Sequence, residues 1–571
     1  MESLHPGAAP GEWEAVVLGI GQPAPAFRVD GTSVTAALEP VAGGGTRVRL
    51  TGVPADGRRL ELHVRGSAVA ALQLAPAPAG SAPFNDWVIY HVFVGTFRNG
   101  DRGNDGQVRG WKDPLYIGGD LAGVLQGLEH IQSLGANAVW ISPVFASPTS
   151  HGYDVTNYFR IGDAVGVPRD AERSLALFRE LVRQAHARGI RVVLDIPLNH
   201  ASKSYDRPAG DPKKLKPEAT GARQPAEKLW ESWGSNMKFW AFDHAPTRKF
   251  LVDVTRHWLQ DEQADGVRLD YVRGVPHDFW AEHYAAIKKA KPGAFLVGEC
   301  WADEQGPAGN VAEIATYFKP VPGTGPQFDS LLDFPMQQVL VDVFARGGEA
   351  SGIESLLQAS AAAYGPGAWP TYFLDNHDLT RFVDWAGGDK RRLLAAFTFM
   401  SALPGPEVIF YGTETGLGGS KVQRGFTDSG RIPMPWNKLD QQLIASFREV
   451  LAARREHPAL ARGARWPLLA DAGALVFARA DGNEVVLVGS NVSKEPRDIV
   501  VDARPLWGAA EPTRLVGSSA FAVDPESRQL RWTLPPYTTA MLAAQRQGRV
   551  PVEQGPPQAA RDATRGADDL W

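Results

Sequence analysis

The alternation of apolar strand-like runs with helix-like segments constrains this fold more than any other feature of the sequence. Eight runs are almost continuously apolar, as buried parallel strands are. These runs are residues 87–97, 136–145, 190–200, 265–272, 294–301, 328–335, 371–378 and 407–414. Segments with helical periodicity follow most of them, beginning with 121–135 and 169–189. Eight strand–helix units in about 375 residues predict an α/β fold, a (β/α)₈ TIM barrel.

The composition changes on both sides of the barrel pattern. Residues 1–82 hold β-type runs between turns and end in a Pro- and Ala-rich linker, which predicts an N-terminal antiparallel β-sandwich. We expect the barrel over 83–461, with 201–245 as a short inserted B domain after the third strand. Strand-like runs return over 462–545 and predict a C-terminal β-sandwich.

The tail 546–571 lacks apolar periodicity, so we expect it to be disordered.

Charge and composition exclude several classes of function. The net charge of −5 argues against a nucleic-acid partner, because nucleic acids attract basic surfaces. A single cysteine, Cys300, excludes an intramolecular disulfide and a thiolate metal cluster. The apolar runs are too short for a membrane span. The N-terminus lacks a signal-peptide pattern, which favours a cytoplasmic protein. The sequence makes no prediction of an oligomeric state.

Titratable residues cluster where the predicted strands end, and barrel enzymes carry their catalytic groups at that rim. The residues are Asp195, Asn199 and His200 on the third strand, Arg268 and Asp270 on the fourth, Glu299 on the fifth, and Asn376, His377 and Asp378 on the seventh. Four strands that point such groups at one rim indicate an active site.

The fourth and fifth strands predict a pair of carboxyl groups with different charge states. Arg268 and Asp270 share one face of their strand, because side chains alternate along a strand. The neighbouring guanidinium is expected to hold Asp270 ionised, as a nucleophile requires. Apolar residues precede Glu299, so we expect a raised pKa and a protonated acid. This combination is typical of a retaining glycosidase, whose carboxyls lie roughly 5 Å apart.

These segments resemble the ordered motifs of the α-amylase family of glycoside hydrolases (family 13), in particular bacterial α-amylases and cyclodextrin glucanotransferases. The matching segments are DIPLNH (195–200), GVRLDYVRG (266–274), VGECW (297–301) and FLDNHD (373–378), with AFDHA (241–245) and HGYDVTNYF (151–159) as weaker or accessory matches. The resemblance covers about residues 87–460. It therefore includes the whole predicted barrel.

The resemblance implies a role for each of the clustered residues. Asp270 would be the nucleophile, Glu299 the general acid/base and Asp378 the transition-state stabiliser. The subsite around the distorted sugar would consist of Tyr153, Asp195, His200, Arg268 and His377. Arg273 stands where typical α-amylases place a residue that helps to bind the leaving-group sugar. The implied partners are α-1,4- or α-1,6-linked glucans: starch, maltooligosaccharides and cyclodextrins.

A loop after the first strand predicts a calcium cofactor. Asn99, Asp101, Asn104 and Asp105 place hard oxygen donors on a Gly-containing loop, which suits calcium. The loop resembles the first-loop calcium site of cyclodextrin glucanotransferases, which implies that Gly118 and Asp120 complete the shell. The other calcium site of the family would use Asn199 and Asp243 here, although Arg273 and Gly274 replace the residues that usually supply its backbone ligand.

Several interpretations stay open on the sequence. The first is an α-glucan hydrolase; the second is a transglycosylase such as a 4-α-glucanotransferase, in which a sugar hydroxyl rather than water resolves the intermediate on Asp270. From another class, a non-catalytic glucan-binding protein predicts a missing carboxylate. Cys300 is expected to be inert packing. The aromatic residues of the insertion either pack it onto the barrel or stack on sugar; they are Trp230, Trp233, Phe239 and Trp240.

Overall fold

The computed structural model of the 571-residue chain describes backbone strands before residue 84 and most of the chain after it. The described residues are 5–6, 13–18, 26–29, 32–41, 45–51, 59–64, 67–73, 84–107, 115–205, 237–365, 367–481, 484–502, 512–524, 526–527 and 529–545. The predicted linker, the insertion residues Trp230 and Trp233, and the tail 546–571 lie outside the described residues.

The first of two compact units contains Met1–Pro83, Gly347–Ala368 and Ala453–Trp571. Its N-terminal strands are antiparallel: β1 (His5–Pro6), β2 (Trp13–Leu18), β3 (Ala26–Val29), β4 (Thr32–Val41), β5 (Gly45–Thr51), β6 (Arg59–Val64) and β7 (Ser67–Gln73). They form one sheet in the order β1-β2-β5-β4-β3-β6-β7. The long β4 pairs with β3 through its first residues and with β5 through the rest. The strands are antiparallel as expected, and the packing of a sandwich stays a prediction.

The second unit, Phe84–Arg346 with Trp369–Ala452, contains the parallel sheet that the sequence predicted. Its strands in order are β8 (Val88–Val92), β9 (Ala138–Ile141), β12 (Arg191–Ile196), β15 (Gly266–Leu269), β16 (Phe295–Gly298), β17 (Ser330–Leu331), β18 (Tyr372–Phe373) and β19 (Glu407–Phe410). Two small antiparallel pairs interrupt this series. They are β10 (Phe145–Ala146) with β11 (Asn157–Ile161), and β13 (His200–Ser202) with β14 (Met237–Phe239).

A parallel bridge between Leu332 and Thr371 joins the two end strands of this sheet. The amide of Asp333 donates to the carbonyl of Thr371 at 2.9 Å, and the amide of Thr371 donates to the carbonyl of Leu331 at 2.8 Å. The sheet therefore closes into a barrel. Each predicted run contains one barrel strand, but the strands are shorter than the runs, because the apolar pattern continues into buried loops beyond the last paired residue.

The helices surround the barrel or flank the C-terminal strands. They are α1 (Val94–Phe97), α2 (Leu121–Leu134), α3 (Ala171–Ala187), α4 (Ala245–Arg256), α5 (His277–Ala290), α6 (Gly306–Phe318), α7 (Phe334–Leu340), α8 (Ser351–Tyr364), α9 (Phe382–Trp385), α10 (Lys390–Met400), α11 (Gln441–Glu456) and α12 (Pro458–Arg462). Side chains cap several N-termini, and Asp120 and Asp170 accept the amides of Gly123 and Arg173. No helix of the described ranges is long and apolar enough to cross a lipid bilayer.

The C-terminal strands form two antiparallel sheets, which pack into the predicted sandwich. Their members are β20 (Ala464–Ala470), β21 (Ala474–Asp481), β22 (Glu484–Asn491), β23 (Arg497–Val501), β24 (Thr513–Val516), β25 (Ala520–Val523), β26 (Leu530–Leu534) and β27 (Thr538–Gln545). The orders are β20-β21-β22-β27-β24 and β23-β26-β25. Buried Val476, Leu487, Trp532 and Leu542 belong to one core between them. The segment with α8, which the sequence placed in the barrel, belongs to this unit.

Asp333 is a buried carboxyl at the closing seam of the barrel. It caps α7 by accepting the amide of Met336 at 2.9 Å. Burial raises the pKa of Asp333 to about 7. Between the ordinary pKa and this value the unfolded chain has lost the proton while the folded protein keeps it, so stability falls as pH rises across that interval.

We expect Asp333→Asn to stabilise the protein at neutral and alkaline pH. The amide keeps the cap but carries no charge. Its gain in unfolding free energy should grow between about pH 4 and pH 7 and then level off at no more than about 4 kcal/mol. Urea unfolding of both proteins across this pH range measures the difference. A difference that does not change with pH would contradict the assigned cause.

Candidate active site

One buried guanidinium, that of Arg268, contacts three carboxylates from three adjacent barrel strands. Strand register pairs Asp195 with Arg268 across β12 and β15. Nη1 lies 2.7 Å from Asp195 Oδ1 and 2.8 Å from Asp270 Oδ1, and Nη2 lies 2.6 Å from Glu299 Oε1. The structure thus brings together the four residues that the sequence placed at the ends of the third, fourth and fifth strands.

The charge balance around Arg268 differs from the prediction that its guanidinium holds Asp270 ionised. Burial raises the pKa of Asp270 well above its usual value; Arg268 opposes this, while Glu299 and Asp195 add to it. Burial also raises the pKa of Glu299, against the effect of Arg268. At these two carboxyl groups, burial thus outweighs the effect of the one cation that they share.

The two oxygens of Asp270 have different surroundings. Oδ1 accepts a hydrogen bond from Arg268 at 2.8 Å. Oδ2 is buried and has no hydrogen-bond partner among the described residues. A buried carboxylate oxygen without a donor is costly unless a ligand uses it. The arrangement fixes the carboxylate through one oxygen and leaves the other available for attack.

The backbone after Asp270 holds Glu299 in place. Tyr271 adopts a left-handed conformation, φ 41°, which is strained for a residue with a side chain. This turn lets the Tyr271 amide donate to Glu299 Oε2 at 3.1 Å. The Glu299 amide in turn donates to the carbonyl of Leu269 at 2.9 Å. The strained backbone that follows Asp270 thus orients Glu299.

Asp378 and His377 join this group through a tyrosine. The Tyr153 hydroxyl lies 2.9 Å from Asp195 Oδ2 and 2.7 Å from His377 Nε2. His377 Nε2 also lies 3.0 Å from Asp378 Oδ2. Burial pushes the pKa of Asp378 upward, but His377 and Arg431 outweigh it and hold this pKa below its usual value. Asp378 is therefore ionised.

His200 and Arg273, both predicted to bind sugar, have protein partners in the structure. The ring of His200 lies 2.8 Å from Asn199 Oδ1 and 2.9 Å from the carbonyl of Tyr153. Burial lowers the pKa of His200 to about 4, so the ring is neutral. Arg273 donates to the carbonyl of Trp301 at 2.9 Å and to Glu304 Oε1 at 2.7 Å. Both side chains tie loops of the site together, and their sugar contacts stay predictions.

Sequence reasoning missed three groups that shape the site. The indole of Trp140 donates to Asp195 Oδ2 at 3.0 Å. The amide of Tyr271 contacts Glu299, and Arg431 contacts Asp378 at 2.9 Å. Arg431 lies on the loop after the eighth strand, at the rim where catalytic groups are expected, and that position was the available signal. A backbone amide gives no signal in a sequence.

The last predictions to compare concern Cys300 and the described aromatic residues of the insertion. Cys300 is fully buried beside Glu299, as expected of an inert cysteine. Trp240 is fully buried against Tyr158 and Phe250, and Phe239 is also buried. Packing rather than sugar stacking therefore explains these two aromatic residues of the insertion.

Comparison with known proteins decides the family. The family model of the alpha amylase catalytic domain matches residues 91–219 and 234–449, which are more than half of the chain. The chain belongs to the α-amylase family of glycoside hydrolases. It is therefore a glycoside hydrolase of that family, and the alternative of a non-catalytic glucan-binding protein is wrong. The family resemblance seen in the sequence is confirmed.

Relatives of this α-amylase-family chain extend the match beyond the barrel. A cyclomaltodextrinase from Geobacillus thermopakistaniensis is 28% identical over 496 residues, which cover 81% of this chain and 77% of the relative. A cyclomaltodextrinase from a Bacillus species is 30% identical over 434 residues, 72% of this chain and 73% of the relative. The crystal structure of an Anoxybacillus α-amylase superimposes with a TM-score of 0.67 at 26% identity, and covers 83% of this chain and 99% of that one.

The predicted calcium loop of this family member is closed by Asp120. Asp120 Oδ1 accepts the amides of Gly100 and Gly123, and Oδ2 accepts the amide of Asp101 and the side-chain amide of Asn104. Both Asp120 oxygens thus already hold the loop. Asn99 donates to Asp105 Oδ1 at 2.8 Å. The structure brings the predicted oxygen donors into one cluster.

Two buried oxygens make this loop fit a cation. Asn99 Oδ1 and Asn104 Oδ1 lack a hydrogen-bond partner among the described residues. A Cβ on Gly118 would lie 2.2 Å from Asp105 Oδ1, so the loop approaches the Gly118 backbone closely. The part of the chain that the structure describes holds no cluster of three His, Cys, Asp or Glu side chains suited to a metal. A cation here would therefore need amide and backbone oxygens in addition to the carboxylates of the loop.

The second predicted calcium site has less support in the geometry. Asn199 is buried and its Oδ1 lies 2.8 Å from the His200 ring, whereas Asp243 is exposed. No contact among the described residues joins Asn199 to Asp243. The amide of Trp240 donates to the carbonyl of Asn199 at 3.2 Å, and this second site stays a prediction.

Proposed function

We propose that this enzyme is a retaining hydrolase of α-1,4-glucosidic bonds that acts on maltooligosaccharides and cyclomaltodextrins. The observation that carries the proposal is the shared contact of Asp270 and Glu299 with Arg268, with Asp270 Oδ2 left unpartnered. Two carboxyls held by one guanidinium suit the short separation of a retaining pair. The relatives named cyclomaltodextrinase support the choice of substrate.

In the first step, Asp270 Oδ2 attacks the anomeric carbon while Glu299 donates its proton to the glycosidic oxygen. Arg268 fixes the other oxygen of Asp270 at 2.8 Å, so the nucleophile does not rotate. The bond to the leaving sugar breaks as the bond to Asp270 forms. The developing positive charge on the sugar lies among ionised carboxylates, which stabilise it.

In the second step, Glu299 acts as a base and takes a proton from the incoming water. Water attacks the anomeric carbon, and the bond to Asp270 breaks. Asp378 accepts hydrogen bonds from sugar hydroxyls in both steps, and Tyr153 packs against the same sugar while it bridges Asp195 and His377. Two inversions at the anomeric carbon retain its configuration.

A product time course tests this function against transglycosylation. We expect linear maltooligosaccharides from starch and from β-cyclodextrin, with the α-anomer first in the NMR spectrum. The same assay on pullulan and maltotriose separates α-1,4 from α-1,6 cleavage. Products longer than the substrate, or new rings, as the main early products would instead establish a glucanotransferase. An initial β-anomer would reject retention.

We further propose that the loop from Asn99 to Asp120 binds calcium. A bound ion supplies positive charge that the oxygen cluster of this loop lacks, and it ties the first-strand loop to α2. The unpartnered oxygens of Asn99 and Asn104 and the close approach at Gly118 support this site. Binding to the folded state alone stabilises that state.

Chelation is therefore expected to lower the melting temperature, by roughly 2–4 °C if calcium is in about hundredfold excess over its Kd. Added calcium should restore it. Gly118→Ala, whose Cβ would clash with Asp105 at a positive φ of 77°, should abolish this response. Gly189→Ala, at an open position with φ 72°, is the matched control and should keep it. Equal melting curves with chelator and with calcium would remove the site.

A further inference from the structure

Arg431, on the loop between β19 and α11, contacts both His377 and Asp378, and no role has been assigned to it so far. Its Nε donates to the carbonyl of His377 at 2.9 Å, and its Nη2 donates to Asp378 Oδ1 at 2.9 Å. Its guanidinium carbon lies 4.9 Å from the ring centre of Phe93 and 5.9 Å from that of Phe426. The side chain is buried. Hydrogen bonds and two aromatic faces therefore hold it in one position.

The loop that carries Arg431 is also bound to the backbone of Asp378. The amide of Thr427 donates to the Asp378 carbonyl at 2.9 Å. At its other end the loop is anchored by Asp384, which accepts the amides of Gly419 and Ser420. The side chain and the backbone of Asp378 thus both take their positions from this loop. The strand that precedes Asp378 in the sequence, β18, has only two residues and ends at Phe373.

The Asp378 carboxylate contacts two side chains, Arg431 and His377. His377 Nε2 is shared between Asp378 Oδ2 and the Tyr153 hydroxyl. The Arg431 guanidinium contacts Asp378 Oδ1 and stays charged at every pH of interest. The charged and titratable groups that face Asp378 are His377, Arg431, Arg268, Asp270, Glu299, His151 and Tyr153.

We propose that Arg431 is a positioning residue that fixes the Asp378 carboxylate, and the His377 backbone beside it, for the glycosyl-transfer steps. This inference rests on the proposed role of Asp378. Without Arg431, Asp378 Oδ1 loses a charge-assisted hydrogen bond in a buried setting. The carboxylate then takes up a proton at higher pH and is free to rotate.

The test compares three variants at this position with a control on the same loop. Arg431→Met removes the charge, Arg431→Lys keeps it, and Arg431→Ala leaves room for guanidinium ion. Arg424→Met is the control, because Arg424 is half-exposed and contacts Asp342 rather than the catalytic group. Activity on β-cyclodextrin is measured as kcat and KM across the pH range, with melting temperatures for every variant.

We expect Arg431→Met to lower kcat by about 100-fold with a smaller change in KM. Arg431→Lys should recover part of kcat, because it restores a positive charge beside Asp378. Guanidinium chloride should raise the activity of Arg431→Ala relative to sodium chloride at equal ionic strength, and should not raise that of Arg424→Met.

A kcat for Arg431→Met that equals that of the control would overturn the inference, as would the absence of rescue in both Arg431→Lys and Arg431→Ala. Asp378→Asn separates this from failure of the proposed function. If Asp378→Asn keeps near-normal activity, the role of Asp378 is wrong. If it loses activity while Arg431→Met behaves like the control, only the inference about Arg431 fails.

Discussion

Asp270→Asn and Glu299→Gln are each expected to lower kcat on soluble starch by about four orders of magnitude or more. Asp270→Asn removes the oxygen that forms the covalent bond, and Glu299→Gln removes the proton for the leaving group. Neither change alters side-chain volume, and each variant keeps an oxygen that can accept from Arg268. The fold should therefore persist, with a melting temperature close to that of the parent.

Leaving-group dependence distinguishes the two roles. With an α-glucosyl fluoride, whose leaving group needs little protonation, Glu299→Gln should recover much of the first step while Asp270→Asn stays inactive. Asp261→Asn, a change at an exposed carboxylate, is the control and should leave kcat unchanged. Near-normal starch hydrolysis by either active-site variant would reject the assignment.

Arg268→Met is the second change with a large expected effect. It leaves three buried carboxylates without their common cation. Removal of one partner from a buried ion pair costs about 3–5 kcal/mol of unfolding free energy. The loss should be greater at pH 8 than at pH 5, because the three acids must then be buried with more negative charge. Activity should also fall, by about three orders of magnitude, because Asp270 is no longer fixed.

A second ion pair, in which the carboxylate is buried and the guanidinium is exposed, separates these two effects. Arg179 holds the buried carboxylate of Glu262 through two hydrogen bonds of 2.7 and 2.8 Å, on the outer side of the barrel. Arg179→Met should therefore lower stability while kcat stays near that of the parent. Differential scanning fluorimetry and starch hydrolysis across pH measure both variants. An Arg268→Met protein with full activity would show that the guanidinium has no part in the chemistry.

The barrel could be predicted from the sequence because its strands are buried on both faces and read as apolar runs. The helices α6 and α8 were missed for physical reasons. α6 starts at Gly306 followed by proline, and α8 consists largely of Ala and Ser residues, so neither shows a clear apolar stripe. The strands β17 and β18 have two residues each, and their runs looked longer because buried loop residues continue the pattern.

The catalytic carboxyls could be placed because the end of a parallel strand fixes where the next residues lie. Contacts between side chains from different barrel strands could not be predicted. The contact of Tyr153 with both Asp195 and His377 joins residues 42 and 224 positions apart, and no local pattern encodes it. Likewise Arg273 occupied a motif position, yet its charge is satisfied by Glu304. The sequence also predicted that Arg268 keeps the pKa of Asp270 low, whereas burial raises this pKa.

The left-handed Tyr271 divides two tasks between the atoms of one residue. Its amide sets the geometry of the acid/base Glu299, and this needs only the backbone angle. Its phenol ring lies against Gly274 on the loop that follows. A residue that tolerates this angle, such as Asn, can therefore replace Tyr271 and keep the backbone contact with Glu299. The side chain at position 271 is in this way independent of the hydrogen bond that orients the proton donor.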